Sequence, residues 1–598
     1  MTCVNSFPEQ ALYDPGRYDL GTWMGGRLVP SHSQSLLTQC IVWAPHARSV
    51  ALRAEGHSYP LRRNRETWVG IIPSLDKSVE YHFIIETNRG IFHERGDPYA
   101  QWFTLRPHLR PVLIHSSFFW KDESWMSRRT KLNHQPLNIY KVHIPSWGRS
   151  PFKSYVEHVH EWIRHCVQMH YTHVEFLPLT EHPLDGSWGY QPIGYFAPTS
   201  RHGSPDELKT CIDLLHRAGI GVIFDWVPAH FPKDERGLGR FDGTPLYELD
   251  LDREQTKWNT YTFDYAHPVV TNFLISSAHF WIDEFHVDGI RFDSLEAILE
   301  PHYASHDSSH AFPSSSGTPS TTPASIQGEA AGIQFIQRLN QILRELHPDV
   351  WIIAEDATRY TSTTRPTTCK DGLGFDAKWK VGWSYDVLEA LNKQEEERWH
   401  AFHHIASYML QEKHVLALSH DEVNKQSLWS QMPHPREEHL LLLCALQVLC
   451  VGKSLMFMGN DQGTQDTWRY DLCLHDSPKS IRVMQWVQAL NTLYQQRSCL
   501  WKQSWEWQSI PFPLIGYRRG ALLCLHNVSS TVEREVDRRM KQQYFPHQEH
   551  AHLLLASPSA TLLKGSLEKK GEKRGIFRPG ERLIIPPLGT LVVDMNPS

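Results

Sequence analysis

The chain has 598 residues, too many for one hydrophobic core, and its length predicts two to four domains. Its 21% charged and 40% hydrophobic residues exclude a disordered polymer. A net charge of -6, from 60 Lys+Arg against 66 Asp+Glu with no basic block, excludes a nucleic-acid footprint.

In chain order, residues 20–115 read as all-β. Short alternating or apolar runs, CIVWAPHARSVALRA, TWVGIIPSL and VEYHFIIET, are separated by Gly, Pro, Asn and Ser turn signals and predict a small sandwich. From residue 138 the texture changes to strand-helix alternation, the signature of a parallel sheet with crossover helices. Strands are expected at 138–144, 173–177, 221–226 (GVIFDW), 285–293, 350–355 (VWIIAE), 375–379, 414–420 (HVLALSH) and 454–459 (SLMFMG). Helices are expected between them at 155–169, 205–218, 268–284, 333–346, 399–410 and 437–450. The expected fold class is α/β, an eightfold (β/α) barrel at 121–497 between a β-sandwich at 1–120 and an antiparallel β domain at 498–598.

Two inserts stand out. Residues 226–263 carry HFPKDERGLGRFDGTPLYE, rich in aromatics and turns, and are expected to wall a cleft. Residues 303–325 contain AFPSSSGTPSTTPAS, a composition that cannot bury a core and is expected to be mobile. The tail alternates like strands around a charged stretch, SLEKKGEKRG, read as a solvated loop.

Cys3, Cys40, Cys166, Cys211, Cys369, Cys444, Cys450, Cys473, Cys499 and Cys524 show no C-x-x-C or metal-ligand spacing and read as reduced thiols of a cytoplasmic protein. The first 18 residues show no basic region followed by an apolar core, so no signal peptide is expected. The longest apolar run, 440–451, is too short to span a bilayer. The 37 His form no H-E-x-x-H pattern, and no metal is expected. The 22 Trp offer flat faces on which sugar rings stack, although most Trp fill cores.

Chemistry concentrates where the predicted strands end. In 287–296, VDGIRFDSLE, Arg291 and Asp293 stand two apart and project to one side of a strand. A guanidinium held beside that carboxylate is expected to keep it ionised, as a nucleophile requires. Glu355 ends IAE, Asp421 follows Ser419-His420, and Asp225 with His230 closes an earlier strand in DWVPAH. Any one of these carboxylates alone reads as a helix cap or a structural ion pair. Gathering four at one barrel mouth is costly unless they bind or react with something. Glycoside chemistry needs such a set: one ionised carboxylate to attack the anomeric carbon and one carboxyl to protonate the leaving oxygen. Asp293 suits the nucleophile, and Glu355, among other negative charges, suits the acid. Asp421 and His420 would hold ring hydroxyls in the distorted transition state.

These residues resemble the four short conserved regions of the α-amylase superfamily, glycoside hydrolase family 13, at 225–230, 289–294, 354–356 and 419–423. Segments 171–175 (YTHVE), 186–191 (GSWGYQ), 194–200 (GYFAPTS) and 225–248, with SHDEV, resemble the branching-enzyme subfamily within it. The sandwich resembles the starch-binding-like module of the same enzymes through Val42-Trp43-Ala44-Pro45 and Asp97-Pro98-Tyr99-Ala100. The resemblance implies Asp293 as nucleophile, Glu355 as acid/base and Asp421 as transition-state stabiliser. Tyr190, Asp225, His230, Arg291 and His420 would line the subsite of the attacked glucose. It implies a monomer that acts on an α-glucan without cofactor, makes α-1,6 branches by retaining transfer, and has neither nucleic-acid nor membrane partners. The residues alone leave open an amylase- or trehalohydrolase-type hydrolase and a non-catalytic glucan-binding protein. The chain departs from the subfamily pattern at Asn424-Lys-Gln-Ser, at 459–463 (GNDQG), at Lys380, where an asparagine is usual, and in the insert at 303–325.

Overall fold

A computed structural model describes residues 10–30, 36–73, 75, 77–129, 135–148, 154–249, 258–299, 323–358, 360–474, 479–536, 551–558, 575–577 and 584–595. Most of the insert at 303–325 and of the charged stretch at 566–575 lies outside these residues, as does 250–257 of the first insert.

Eight parallel strands close in sequential order: β1 (Asn138–Val142), β2 (His173–Phe176), β3 (Gly221–Trp226), β4 (Gly289–Phe292), β5 (Trp351–Glu355), β6 (Ala377–Trp379), β7 (His414–Leu418) and β8 (Lys453–Phe457). Every residue of β1, β2, β3, β4 and β7 is buried; β3 and β7 are nearly continuous apolar runs, whereas β1 and β2 bury the Lys141–Glu175 pair (2.8 Å). The helices are α1 (Tyr155–Met169), α2 (Pro205–Arg217), α3 (Pro268–Phe285), α4 (Pro323–Leu346), α5 (Val381–Asn392), α6 (Glu395–Tyr408), α7 (Arg436–Leu449) and α8 (Ile481–Gln496). Helix starts follow local chemistry: Ser204 and Glu207 form a reciprocal capping box at α2, with Pro205 next. At α3 the His267 ring accepts from the Val269 N–H, again with proline in the first turn.

One expectation is corrected here. Phe285 was read as opening the nucleophile strand, but it ends α3; His286 takes a left-handed conformation (φ 54°) that stops the helix before β4 begins at Gly289. Helix α5 was not foreseen.

By compactness the chain forms two units. The first, Met1–Thr130, Phe152–His160 and Phe176–Asp376, contains β3 to β5 and the N-terminal sandwich of two four-stranded antiparallel sheets. The second, Lys131–Pro151, Glu161–Glu175 and Ala377–Ser598, contains β1, β6 to β8 and a six-stranded antiparallel sheet whose core includes Leu514, Leu523, Leu525, Ile585, Leu591 and Val593. In the first unit the buried His216 joins Asp122 (2.8 Å) and Asp288 (2.9 Å), and Asp288 also accepts from the Val222 N–H at the start of β3 (2.7 Å). This ties the chain before the barrel to the base of β3 and β4.

Candidate active site

Strand register builds the first half of the site. In the parallel pairing of β3 with β4, Asp225 lies opposite Arg291, and between β4 and β5 Phe292 lies opposite Ala354. One step further along, the side chains of Asp293 and Glu355 leave neighbouring strand ends. The backbone ladder continues past the strands, with Asp293 N donating to Trp226 O (2.9 Å) and Leu295 N to Glu355 O (3.0 Å).

Arg291 is the hub. Its side chain is 1% exposed; Nη1 bonds Asp225 Oδ1 (2.5 Å) and Asp293 Oδ1 (2.6 Å), and Nη2 bonds Glu355 Oε2 (2.8 Å). Tyr190 OH donates to Asp225 Oδ2 (2.7 Å), with its ring 5.7 Å from the guanidinium carbon. Burial alone would weaken the hold of Arg291 on its proton, but Asp225, Glu355, Tyr190 and Asp293 reverse this and keep the guanidinium charged.

Asp293 differs from the sequence expectation. Burial pushes its carboxyl well above the usual aspartate range; Arg291 opposes this, while Glu355, Asp225 and Glu296 add to it. One cation is shared among three carboxylates, so the Asp293 carboxyl holds its proton more tightly than a free aspartate does. The expectation that Arg291 by itself keeps Asp293 ionised is corrected accordingly.

His230 is buried and opens a short strand, His230–Pro232, paired antiparallel with Thr260–Thr262. Trp258, 37% exposed, stacks on its ring at 4.9 Å and 24°. The intervening loop is clamped by the N-terminal sandwich: Arg95 donates to the carbonyls of Glu235, Arg240 (2.7 Å) and Phe241 (3.1 Å), and Gly96 N to Arg236 O (2.9 Å). Tyr190, Asp225, Arg291, Asp293 and Glu355 therefore form one bonded cluster, with His230 beside Trp258 on the loop that follows β3.

His420 and Asp421 belong to the second unit, at the C-terminal end of β7. Ser419 caps the turn in a reciprocal box with Glu422, and Glu422 also accepts from Ser384. His420 is buried edge-on to Trp468, while the Asp421 side chain is 45% exposed. Sequence reading missed Ser294, Glu296 and Trp258. Only Trp258, one of many tryptophans, carried a visible signal. Among the described residues, no group of three or more His, Cys, Asp or Glu is placed to hold a metal ion.

Residues 253–508 match the alpha amylase catalytic-domain family, and residues 30–100 match carbohydrate-binding module 48, the isoamylase N-terminal domain. The chain is 36% identical over 531 residues to the 1,4-alpha-glucan branching enzyme GlgB of Mycobacterium tuberculosis, covering 83% of this chain and 71% of that protein. The chain belongs to the GlgB branching-enzyme family, within the α-amylase superfamily. It is also 38% identical over 494 residues to GlgB of Corynebacterium diphtheriae, covering 78% of this chain and 66% of that one. The chain spans just under two thirds of the length of the Corynebacterium diphtheriae and Mycolicibacterium paratuberculosis GlgB proteins, 66% and 65%. In fold it resembles the pullulanases of Paenibacillus barengoltzii (TM-score 0.70, 15% identity, 99% and 97% of the two chains) and Anoxybacillus sp. LM18-11 (TM-score 0.69, 16% identity, 100% and 90%).

Where the chain departs from branching-enzyme wording, its own residues build alternative supports. Lys380 precedes α5 with Nζ 3.8 Å from the centre of the Tyr408 ring. The 459–463 segment forms a tight turn between left-handed Gly459 and Gly463, and buries Asp461 against His165 (2.7 Å). Gln431 Nε2 donates to the carbonyls of Glu422 (2.6 Å) and Gln426 (2.7 Å), bracing 424–427. Among the described residues no helix is long and apolar enough to cross a membrane.

Proposed function

We propose that the chain is a 1,4-α-glucan branching enzyme that cleaves an α-1,4-linked chain and transfers the cut piece to a 6-hydroxyl. The observation that carries the reading is the single buried guanidinium bonded to Asp225, Asp293 and Glu355. Asp293 and Glu355 sit on the two terminal nitrogens of that one guanidinium, which sets the two carboxyls side by side as a nucleophile and an acid/base require.

In this reading Asp293 attacks the anomeric carbon as Glu355 protonates the departing glycosidic oxygen. The ester on Asp293 is then displaced by an acceptor 6-hydroxyl, whose proton returns to Glu355. Asp225, Tyr190, His230 and His420 bind hydroxyls of the attacked glucose, and Asp421 supports the oxocarbenium-like transition state. Asp225, held by Arg291 and Tyr190, directs its carboxyl dipole at the ring in which positive charge develops. Functionally, 1–120 is the glucan-binding module, 121–497 the catalytic barrel and 498–598 a supporting domain. The enzyme works in the cytoplasm as a monomer, with glycogen or amylose as substrate.

The test incubates the purified protein with amylose, follows iodine colour and reducing ends together, and then debranches the product with isoamylase. Colour loss with few new reducing ends, followed by release of short chains, is expected. Reducing ends that rise in step with colour loss would mean hydrolysis and overturn the reading.

A further inference from the structure

Immediately after Asp293 the chain does something unusual: Ser294 adopts φ 54°, a left-handed conformation that side-chain-bearing residues rarely take. Two side-chain bonds accompany it. Ser294 Oγ donates to Glu296 Oε1 (2.9 Å), both groups being buried, and the Ser294 N–H donates to Glu355 Oε2 (2.9 Å). With Arg291 Nη2 at 2.8 Å on the same atom, Oε2 of Glu355 takes a neutral and a charged donor, while Oε1 receives neither. The next N–H, that of Leu295, holds the Glu355 carbonyl (3.0 Å), so backbone and carboxyl of this residue are fixed by consecutive donors of one turn.

We propose that Ser294 and Glu296 are positioning residues that lock this turn and so fix Glu355 with Oε1 as the atom that delivers the proton. An oxygen already engaged by a guanidinium and an N–H is the poorer seat for a proton, so the proton resides on the other. During cleavage it passes from Oε1 to the glycosidic oxygen as the C1–O bond breaks and the Asp293 carboxylate bonds C1; in the second half the acceptor hydroxyl returns a proton to the same atom. The Ser294–Glu296 bond offsets the cost of the left-handed backbone, and without it the turn relaxes toward ordinary φ and swings its N–H away from Glu355. The inference rests on the proposed roles of Asp293 and Glu355 but not on whether the acceptor is a sugar or water.

The test compares Ser294→Ala, Ser294→Gly and Glu296→Gln with the parent on two donors: amylose, whose leaving oxygen needs a proton, and a maltooligosyl fluoride, whose fluoride leaves without one. Ser294→Ala should lower kcat on amylose about tenfold, with KM within about twofold, and leave fluoride release within about twofold. Ser294→Gly, for which the left-handed backbone costs little, and Glu296→Gln, which keeps an acceptor oxygen, should recover most of the amylose rate. Equal losses on both donors, or full amylose activity in Ser294→Ala, would overturn the proposal. A parent that cleaves amylose only by hydrolysis would sink the branching reading and leave this comparison intact. Crystal structures of parent and Ser294→Ala provide a readout independent of turnover: an unmoved Glu355 in the variant would also refute the clasp.

Discussion

Replacing Arg291 by methionine removes the cation and keeps a side chain of similar length. Left behind are Asp225 and Asp293, both buried, and the partly buried Glu355, which lose contacts of 2.5, 2.6 and 2.8 Å. Removing one partner of a buried ion pair costs about 3–5 kcal/mol, because the orphaned charge stays desolvated. In folding equilibrium that is roughly a 10²- to 10³-fold loss or more, at about 1.4 kcal/mol per tenfold. The sign of the pH dependence follows from Asp293. Its carboxyl holds its proton more tightly folded than unfolded, so stability is complete below the free-aspartate value of about 3.9 and is lost as pH rises through the folded value. Without Arg291, which opposes that shift, the loss is larger. The gap between parent and Arg291→Met should therefore be widest near pH 8 and close toward pH 5, as the orphaned carboxyls take up protons. Urea unfolding followed by near-ultraviolet circular dichroism at several pH values measures it. A deficit that is flat with pH, or that grows on acidification, would refute the account of one cation shared by three carboxylates.

Other outcomes follow from single contacts. Glu355→Gln keeps acceptor capacity for Ser294 N and Arg291 but has no proton to give; circular dichroism should be unchanged while kcat on amylose falls about 10²- to 10⁴-fold. Trp258→Ala removes the exposed face above His230 and should raise KM for amylose about 2- to 12-fold, with kcat little changed in initial-rate assays. His216 is opposed by burial but held charged by Asp288 and Asp122, so its proton affinity is raised on folding. Its contribution is complete below the unfolded value of about 6.5 and declines as pH climbs through the folded value. The unfolding midpoint should fall across that range, and less steeply in His216→Asn.

What the sequence reveals depends on how local the cause is. GVIFDW announces β3 because a strand buried on both faces must be continuously apolar, and Ser204-Pro205-Asp-Glu207 announces α2 because its cap is four residues long. Arg291 and Asp293 are legible for the same reason, two residues apart on one strand end. The end of α3 is hidden because Phe285 and Val287 are apolar on both sides of a boundary set by the backbone of His286. Helix α5 starts directly after a three-residue strand and carries Gly382 and Ser384 in its first turn, so its propensity signal is weak. The Asp122–His216–Asp288 tie joins residues 94 and 72 positions apart and matches no local pattern. The raised proton affinity of Asp293 is hidden for a related reason: the sequence gathers the carboxylates at one mouth but does not show that Asp225, Asp293 and Glu355 share a single guanidinium.

That competition explains why one arginine serves three acids. In the proposed reaction the form that attacks carries carboxylates on Asp225 and Asp293, the transferable proton on Glu355 and the Arg291 cation. Its net charge is one negative. When Asp293 becomes an ester and Glu355 gives up its proton, one carboxylate charge vanishes and another appears, so the net charge is unchanged. The two positions are bonded to Nη1 and Nη2 of the same guanidinium. A charge that moves between them stays beside its counter-ion, and the site need not recruit or expel water to follow it. A second cation would neutralise Asp225 and weaken its pull on the oxocarbenium-like ring. Removing the first would leave each half-reaction to create an unpaired charge in a buried site. One guanidinium bridging the nucleophile and the acid is the arrangement that avoids both costs.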